Sequence, residues 1–533
     1  MKALTTMQAA YWVGRQSEAP LGGVSAHLYA EFNCCDLDVE RLRQAVAALY
    51  LHHPMLRLCI TADGQQTISP CGPEHGLHLD DFSQFDTPEA SHRLTAKRQQ
   101  KSSQKLPLEQ GIPCDISLSL LPGGHSRLHV DLDMIAGDAM GFRVLMEDLA
   151  RFYHQCPASP ADNGVPYFDY LDRHYADTAQ QSRRTRAQAW WRERLPQLPP
   201  APHLLRTPDI CRSDRLALQL SASETKALED AARAHGITLS SLFLALFAVT
   251  VGHGWNMPRF RLNVPLFHRD EANLAPIIGD FSNLVLLGVE LNPAENLPAF
   301  SRRLMAQLAE LIAHADYPGV SVMRDLSRLQ GSMQPSPVVF TAGFGIRGKA
   351  LFSDNVTRTF GPLEWVISQG PQVALDAQVA HANGGILINW DVRLDAFPDR
   401  LLPQLFATYG ALLKRAANRP DSFNQPLSQW LAQCSSAGQA RQMPVRQLLH
   451  RLLARVAPDA RLGDDDDIRT LQLPQDALMA LLAVLNKYLP VALAPKDIEA
   501  NPTPAALAAV ICERAPNAAE GAQLLLQVLA PKA

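Results

Sequence analysis

Between Arg127 and Tyr153 the chain reads RLHVDLDMIAGDAMGFRVLMEDLARFY, and the period of its apolar residues changes halfway along. From Leu128 to Met134 polar and apolar residues alternate, so His129, Asp131 and Asp133 share one face of a strand and Leu128, Val130 and Leu132 the other. From Phe142 onward the spacing is helical, with Phe142, Leu145, Met146, Leu149 and Tyr153 on one side. A short turn, Ala136-Gly137-Asp138, joins the two patterns. A strand-turn-helix unit with so short a connection places its turn at the edge of a cleft, bracketed by Asp133 and Asp138. Each aspartate also fits a capping role at a strand end or helix start, so its chemistry has to be argued from the rest of the chain.

The chain has 533 residues, enough for about three domain-sized units. Hydrophobic residues at 47% and charged residues at 19% suit folded units with ample core, and a net charge of −4 points away from nucleic acid and from an anionic membrane surface. The nine cysteines (34, 35, 59, 71, 114, 156, 211, 434, 512) are scattered, with no CxxC pair and no Cys/His spacing that suits zinc. A reducing, cytoplasmic setting without a metal site is the expectation. The N-terminus lacks a charged-then-apolar leader, and the longest apolar run, Leu242 to Val251, is too short to span a bilayer and is expected to be a core helix.

Ahead of the central unit, residues 4–15 read LTTMQAAYWVGR, residues 24–33 read as a strand, and Asp38 precedes a helix whose apolar face is Val39, Leu42, Val46 and Leu49. His52-His53-Pro54 ends that helix, and Asp63-Gly64 is a hairpin turn between short strands. Together with Asp133-xxxx-Asp138, these pieces resemble the heterocyclization domains of nonribosomal peptide synthetases. The opening motif of that family, approximately LTxxQxAYxxGR, is matched by Leu4, Thr5, Gln8, Ala10, Tyr11, Gly14 and Arg15. Its second motif covers His53, Pro54, Met55, Leu56, Arg57, Asp63, Gly64 and Gln66, so the double histidine at 52 and 53 belongs to packing and turn and not to catalysis. Ordinary amide-forming condensation domains carry HHxxxDG where this chain has Asp133, Met134 and Asp138. Met134 replaces their catalytic histidine, which disfavours that class.

A proline cluster around 195–202 follows a helical stretch ending at Trp190-Trp191 and reads as the connection to a second half. That half begins near Arg215 with a strand, a Ser221-capped helix and a buried helix from Thr238 to Trp255. GDFSNLVLL (279–287), PVVFTA (337–342), SQGPQVALD (368–376) and Trp390-Asp391 resemble later motifs of the family. Gly370, Ala342 and Gly141 stand where the family usually has threonine, serine and serine, each removing a hydroxyl near the expected channel.

The last hundred residues are helical in pattern, with a polar linker at 431–443 and an acidic loop from Gly463 to Asp467 that reads as solvated. LPQDALMA (473–480) and Asn501-Pro502-Thr503 resemble a peptidyl-carrier domain in which Ala477 replaces the serine that bears phosphopantetheine. A methyl group cannot carry that arm.

The resemblance implies an α/β fold of two chloramphenicol-acetyltransferase-like lobes in a V-shaped pseudo-dimer with a central tunnel, plus a small C-terminal helical bundle. The corresponding bounds are 1–175 for the first lobe, 176–430 for linker and second lobe, 431–443 for a linker, 444–515 for the carrier-like bundle and 516–533 for a tail. It implies an acyltransferase and cyclodehydratase that joins an upstream acyl thioester to a carrier-bound cysteine, serine or threonine and closes a thiazoline or oxazoline, as in siderophore synthesis. Asp376 and Thr341 occupy the family's catalytic positions; Asp133, Asp138, Arg269, Ser368, Gln369 and Gln372 are expected around them, with Asp138 paired to a cation such as Arg269 because a buried lone carboxylate is costly. No cofactor is expected on the catalytic unit itself, and substrates would arrive on the 4'-phosphopantetheine arms of donor and acceptor carrier proteins. An adenylation domain would lie in another chain or module, since no nucleotide-binding glycine signature is present. Two rival readings are an enzyme that makes only an amide or ester, and a non-catalytic protein that docks carriers.

Overall fold

The structure is a computed structural model that describes residues 1–533 except 17, 19–20, 71–75, 157–163, 204–212, 268, 270, 346–349, 398–400, 458–462, 464–465, 472, 490, 516 and 530–533, with 345, 395, 432–443, 513 and 527–528 described as backbone only. It divides into two compact units, Met1–Leu402 with Leu413–Gln425, and Pro403–Leu412 with Pro426–Ala533. In the first unit the described strands form a three-, a five- and a six-stranded sheet.

The five-stranded sheet runs in the order Leu363–Gln369, His27–Cys35, His125–Asp133, Cys114–Leu120, Leu77–Asp81. On one face, Phe32, Leu118, Leu128 and Val130 pack with Leu42, Val46 and Leu49 of the helix Val39–His52 and with Leu145 and Leu149 of the helix Ala139–His154. Asp38 caps the first of these helices through the amides of Glu40 and Arg41 at 3.0 Å each, as expected. The opposite face, which alternation alone would leave to solvent, is buried as well. It is a charged layer: Glu31 takes Arg98 and Arg127 at 2.6 Å each, His27 meets Asp131 at 2.8 Å, and Lys101 holds Asp115 at 2.6 Å. Arg98 and Lys101 come from the helix Thr87–Lys101. Buried carboxylates survive only when so paired.

The six-stranded sheet runs Ser282–Glu290, Arg259–Phe267, Val338–Ala342, Leu375–Ala382, Gly385–Arg393, Ser213–Leu220. Val338–Ala342 pairs in parallel with both of its neighbours; the other pairings are antiparallel. Thr238 caps the helix Leu239–Gly254, which is buried from Ser241 through Gly252; each fully buried leucine there contributes about 2 kcal/mol. This is the apolar run expected to be a core helix. Among the described residues no single helix is long and apolar enough to cross a membrane.

Three expected bounds need correction. The lobe expected at 176–430 gives its strand Leu363–Gln369 to the first lobe's sheet, where it pairs antiparallel with His27–Cys35; sheet completion, not chain order, sets that boundary. The linker expected at 431–443 lies inside one helix, Leu427–Val456, because its alanines and glutamines and Arg441 are good helix formers. The tail expected at 516–533 contains the helix Ala518–Val528, whose Ala518, Ala522 and Leu525 join the core of the second unit. That core also takes Val445, Leu448, Leu481, Leu482, Leu485, Leu507 and Ile511. The acidic loop lies partly outside the described residues; within it Gly463 donates to Asp466 at 2.6 Å.

Candidate active site

The turn after the strand His125–Asp133 is tied down by motif residues far away in sequence. Asp133 accepts from Arg15 at 2.9 Å and from the Ile135 amide at 3.0 Å. Gln8 donates to the Ile135 carbonyl at 2.7 Å and exchanges amide hydrogen bonds with Gln66 at 3.2 and 3.0 Å. The opening motif, the second motif and the turn at Asp133 are thus one buried polar cluster. Burial raises the Asp133 carboxyl to about 6, with Arg15 pulling it back.

Asp138 unites the two readings open to it. Its Oδ1 caps the helix Ala139–His154 through the Gly141 amide at 2.7 Å and also takes Arg269 at 2.9 Å; its Oδ2 takes the Phe281 amide at 3.1 Å. The Asp138 amide donates to the Gly279 carbonyl at 3.2 Å. The first lobe's turn is therefore locked onto the second lobe's GDFS segment. Gly279 has to be glycine, since a Cβ there would lie 2.3 Å from the Tyr167 ring.

The second carboxyl cluster sits on adjacent strands of the six-stranded sheet. Asp376 and Asp391 face each other directly across the antiparallel pair Leu375–Ala382 and Gly385–Arg393, a placement that penalises two negative charges. Arg215 resolves it in favour of Asp391, gripping that carboxylate at 2.6 and 2.7 Å; the Ser368 amide adds 2.7 Å. Asp376 receives only neutral partners: Thr341 Oγ1 donates to Oδ1 at 3.2 Å and Gln378 donates to Oδ2 at 2.7 Å, Gln378 also reaching Asp391 at 3.0 Å. Burial, reinforced by Asp391, pushes Asp376 up to about 7. A carboxyl poised there exchanges protons in both directions at neutral pH.

Both clusters open on one cavity of about 1370 Å³ within the first unit. Its wall is closed by the SQGPQ turn. Pro371 presses on Gly14, where a Cβ would lie 2.5 Å from the ring, and the Gln372 amide donates to the Leu21 carbonyl at 2.9 Å. Gln372 and Leu21 both adopt left-handed backbone, at φ 65 and 63, a strain that marks a turn held by its surroundings.

Of the expected residues, Thr341, Asp376, Asp138, Arg269, Ser368, Gln369 and Gln372 line the cavity, as does Met134. Asp133 stands behind the wall on Arg15. Ala477 belongs to the helical unit, in the first turn of the helix Gln475–Tyr488. His53 is occupied by Asp148 at 2.8 Å and His52 meets the Phe152 ring edge-on at 5.4 Å. Sequence reasoning missed Gln378 and Arg215. Gln378 could have been found from alternation, two residues after Asp376 on the same strand face; Arg215 carries no local signal.

The first unit is thus a two-lobed α/β fold with an interior cavity, a hydroxyl–carboxyl pair on its wall and no histidine among the described lining residues. Residues 1–431 match the condensation-domain family, and the chain belongs to it. It is 42% identical over 437 residues to phenyloxazoline synthase MbtB of Mycolicibacterium paratuberculosis, covering 80% of this chain and 36% of that protein. Pyochelin synthetase PchE of Pseudomonas aeruginosa is 35% identical over 476 residues, 86% of this chain and 32% of the relative. The chain thus spans about a third of the curated relatives it matches. Among solved structures, the EpoB cyclization-docking bidomain from Sorangium cellulosum superposes with a TM-score of 0.68 at 26% identity, covering 78% of this chain and 85% of that one.

Proposed function

We propose that the first unit is a heterocyclization domain: it condenses a carrier-bound acyl thioester with the amine of carrier-bound cysteine, serine or threonine, then cyclodehydrates the amide to a thiazoline or oxazoline. The observation that carries this reading is the Thr341–Asp376 pair, 3.2 Å apart on the cavity wall, with Asp376 raised to about 7. The relatives named for phenyloxazoline and pyochelin synthesis support a siderophore setting.

Condensation needs two arms brought together, and the amine is already nucleophilic, so proximity in the cavity supplies most of that step. Dehydration needs a proton delivered to the departing ring hydroxyl and one removed from the ring nitrogen. Asp376 in its acid form gives the first, water leaves as the C=N bond forms, and the carboxylate regains its proton from nitrogen. Thr341, donating to Asp376 Oδ1, relays between the carboxyl and the substrate. Asp133, Asp138, Arg269, Ser368, Gln369 and Gln372 hold the wall. Met134 has no basic atom with which to replace a histidine.

The test is a reaction with candidate acyl- and cysteinyl-loaded carriers followed by mass spectrometry. A product one water lighter than the linear amide supports cyclodehydration; the linear amide alone points to the amide-forming rival, and no product with any loaded carrier points to a docking protein.

The second unit we read as a peptidyl-carrier-like bundle that does not fit its prosthetic arm, because Ala477 offers a methyl where a hydroxyl is needed. Loaded donor and acceptor carriers and the adenylation domain would then be separate partners. Ala477→Ser should gain the mass of one phosphopantetheine on incubation with coenzyme A and a broad-specificity transferase, and the wild-type chain should gain none. No gain in a variant that circular dichroism shows to be folded would sink the carrier reading.

A further inference from the structure

The row that holds Asp376 is built across three strands. Register sets Asp376 opposite Asp391 and Asp391 opposite Arg215, so three charged side chains stand abreast in the order acid, acid, base. The middle one is crowded with donors. Asp391 Oδ1 accepts from Arg215 Nε at 2.6 Å, and its Oδ2 accepts from Arg215 Nη2 at 2.7 Å, from the Ser368 amide at 2.7 Å and from Gln378 Nε2 at 3.0 Å. Four donors, two of them on one guanidinium, hold that carboxyl as the anion. Asp376 has two neutral donors, Thr341 and Gln378, and it lines the cavity, which Asp391 does not. The Arg215 side chain is 2% exposed, and its guanidinium lies 5.6 Å from the Trp365 ring. Trp365 and Ser368 both come from the strand Leu363–Gln369, which belongs to the other sheet. An enclosed cation needs a carboxylate beside it, and Asp391 is that carboxylate.

We infer that Asp391 is a positioning residue for ring closure: it takes the Arg215 guanidinium for itself and so leaves Asp376 to serve as the acid of the cyclodehydration proposed above, a reading on which the inference rests. The order of the row is what matters. With a neutral residue in the middle, the enclosed guanidinium would have Asp376 as its next carboxylate and would hold it as the anion. With a neutral residue in place of Arg215, two carboxyls would face each other without a cation, and Asp376 would keep its proton to higher pH. The influences on Asp376 have these signs: burial and Asp391 raise it to about 7, while Gln378, Thr341 and Arg215 pull it down. The charged and titratable groups that act on the two acids are each other, Arg215 from the strand Ser213–Leu220 and Tyr11 from the helix Thr6–Gln16.

The experiment is a single-turnover reaction between acyl- and cysteinyl-loaded carriers, with the ratio of cyclised to linear product read by mass spectrometry from about pH 6 to about 9. The ratio is internal to each reaction, so a variant with less folded protein or weaker carrier binding loses both products alike. In wild-type protein the ratio should fall as pH rises and Asp376 gives up its acid form. Asp391→Asn should move that fall to lower pH and cut the ratio about tenfold or more at about pH 8, since one unit of displacement is tenfold above the midpoint. Arg215→Gln should move the fall to higher pH. The double variant, Arg215→Gln with Asp391→Asn, removes both charges and should return the ratio to within about threefold of wild type. Opposite shifts with mutual rescue are what a merely structural pair would not produce. Where Asp391→Asn fails to fold because it strands a buried cation, the shift in Arg215→Gln and the ratio in the double variant decide the matter.

A fall at the wild-type pH in either folded single variant overturns the inference, as does a double variant that loses as much ring as the worse single one. Both outcomes leave ring formation by the wild-type protein, and with it the cyclodehydration reading, intact. Wild-type protein that makes linear amide without ring, or no product with any loaded carrier, overturns that reading and the inference together.

Discussion

The cavity has two acidic walls of opposite character. Asp138 and Asp133 are each 1% exposed and each held by an arginine, Arg269 and Arg15, at 2.9 Å. Asp376 has a hydroxyl and an amide instead, because the nearby arginine, Arg215, is committed to Asp391. An arginine-locked carboxylate holds two lobes together. A carboxyl denied a cation is poised to trade protons, and the two arrangements differ in which carboxylates the guanidinium groups reach.

The sharpest way to break this contrast is Asp376→Asn. The amide keeps shape and hydrogen bonds but cannot exchange a proton, so ring formation should fall by about a hundredfold or more while the linear amide accumulates. Equal loss of both steps, read by mass spectrometry, would remove Asp376 from dehydration.

Asp138→Ala attacks the other wall. It strands Arg269, opens the cap of Ala139–His154 and frees the Phe281 amide, so denaturant titration should show a loss of about 3 to 5 kcal/mol. A variant that is inactive yet as stable as wild type would mean that Asp138 takes part in the reaction.

The wall without a cation should also be visible in the pH dependence of stability. Asp376 moves from its ordinary 3.8 up to about 7 on folding, so between those values the native state holds a proton the unfolded chain has released. Stability conferred by the acid form is therefore lost as pH rises through that window, and the cost is complete above it. Asp376→Asn should gain about 1 kcal/mol over wild type between pH 5 and 8, a figure discounted for water in the cavity. A stability difference that does not vary with pH would place Asp376 back among ordinary carboxylates.

The smallest effect is expected at Gly370, where a Cβ would meet nothing nearer than Val373 at 3.8 Å. Gly370→Thr should change stability by less than about 0.5 kcal/mol and ring formation by no more than twofold or so; a large change in either, by melting curve or product mass, would show that the missing hydroxyl matters. Gly14, pressed by Pro371 in the same turn, has no such freedom.

Much of this was legible in the chain. The change of period at Arg127–Tyr153 marked the strand, turn and helix, and Asp38, Ser221 and Thr238 announced their helices because caps act on amides two or three residues away. Motif resemblance brought Thr341, Asp376, Asp138 and Arg269 to the same list, and the structure brings them to the same cavity. The burial of the polar face of His129 and Asp131 was not legible, since alternation reports which residues share a face and not whether that face meets water. The helix at 432–443 was hidden by polarity, which says little about propensity.

What the sequence by itself determined is local: period, caps, turns, the residue types that can exchange a proton, and the methyl at Ala477 where a hydroxyl would be needed. Only the tertiary structure decided which carboxyl keeps a cation. Asp133 and Asp376 are the same side chain in the sequence, and their partners differ because strand register sets Asp376 against Asp391 while Arg215 grips Asp391 and Arg15 reaches Asp133. Electrostatic energy depends on distances of a few ångströms in a desolvated interior, and those distances join residues that lie more than a hundred positions apart along the chain.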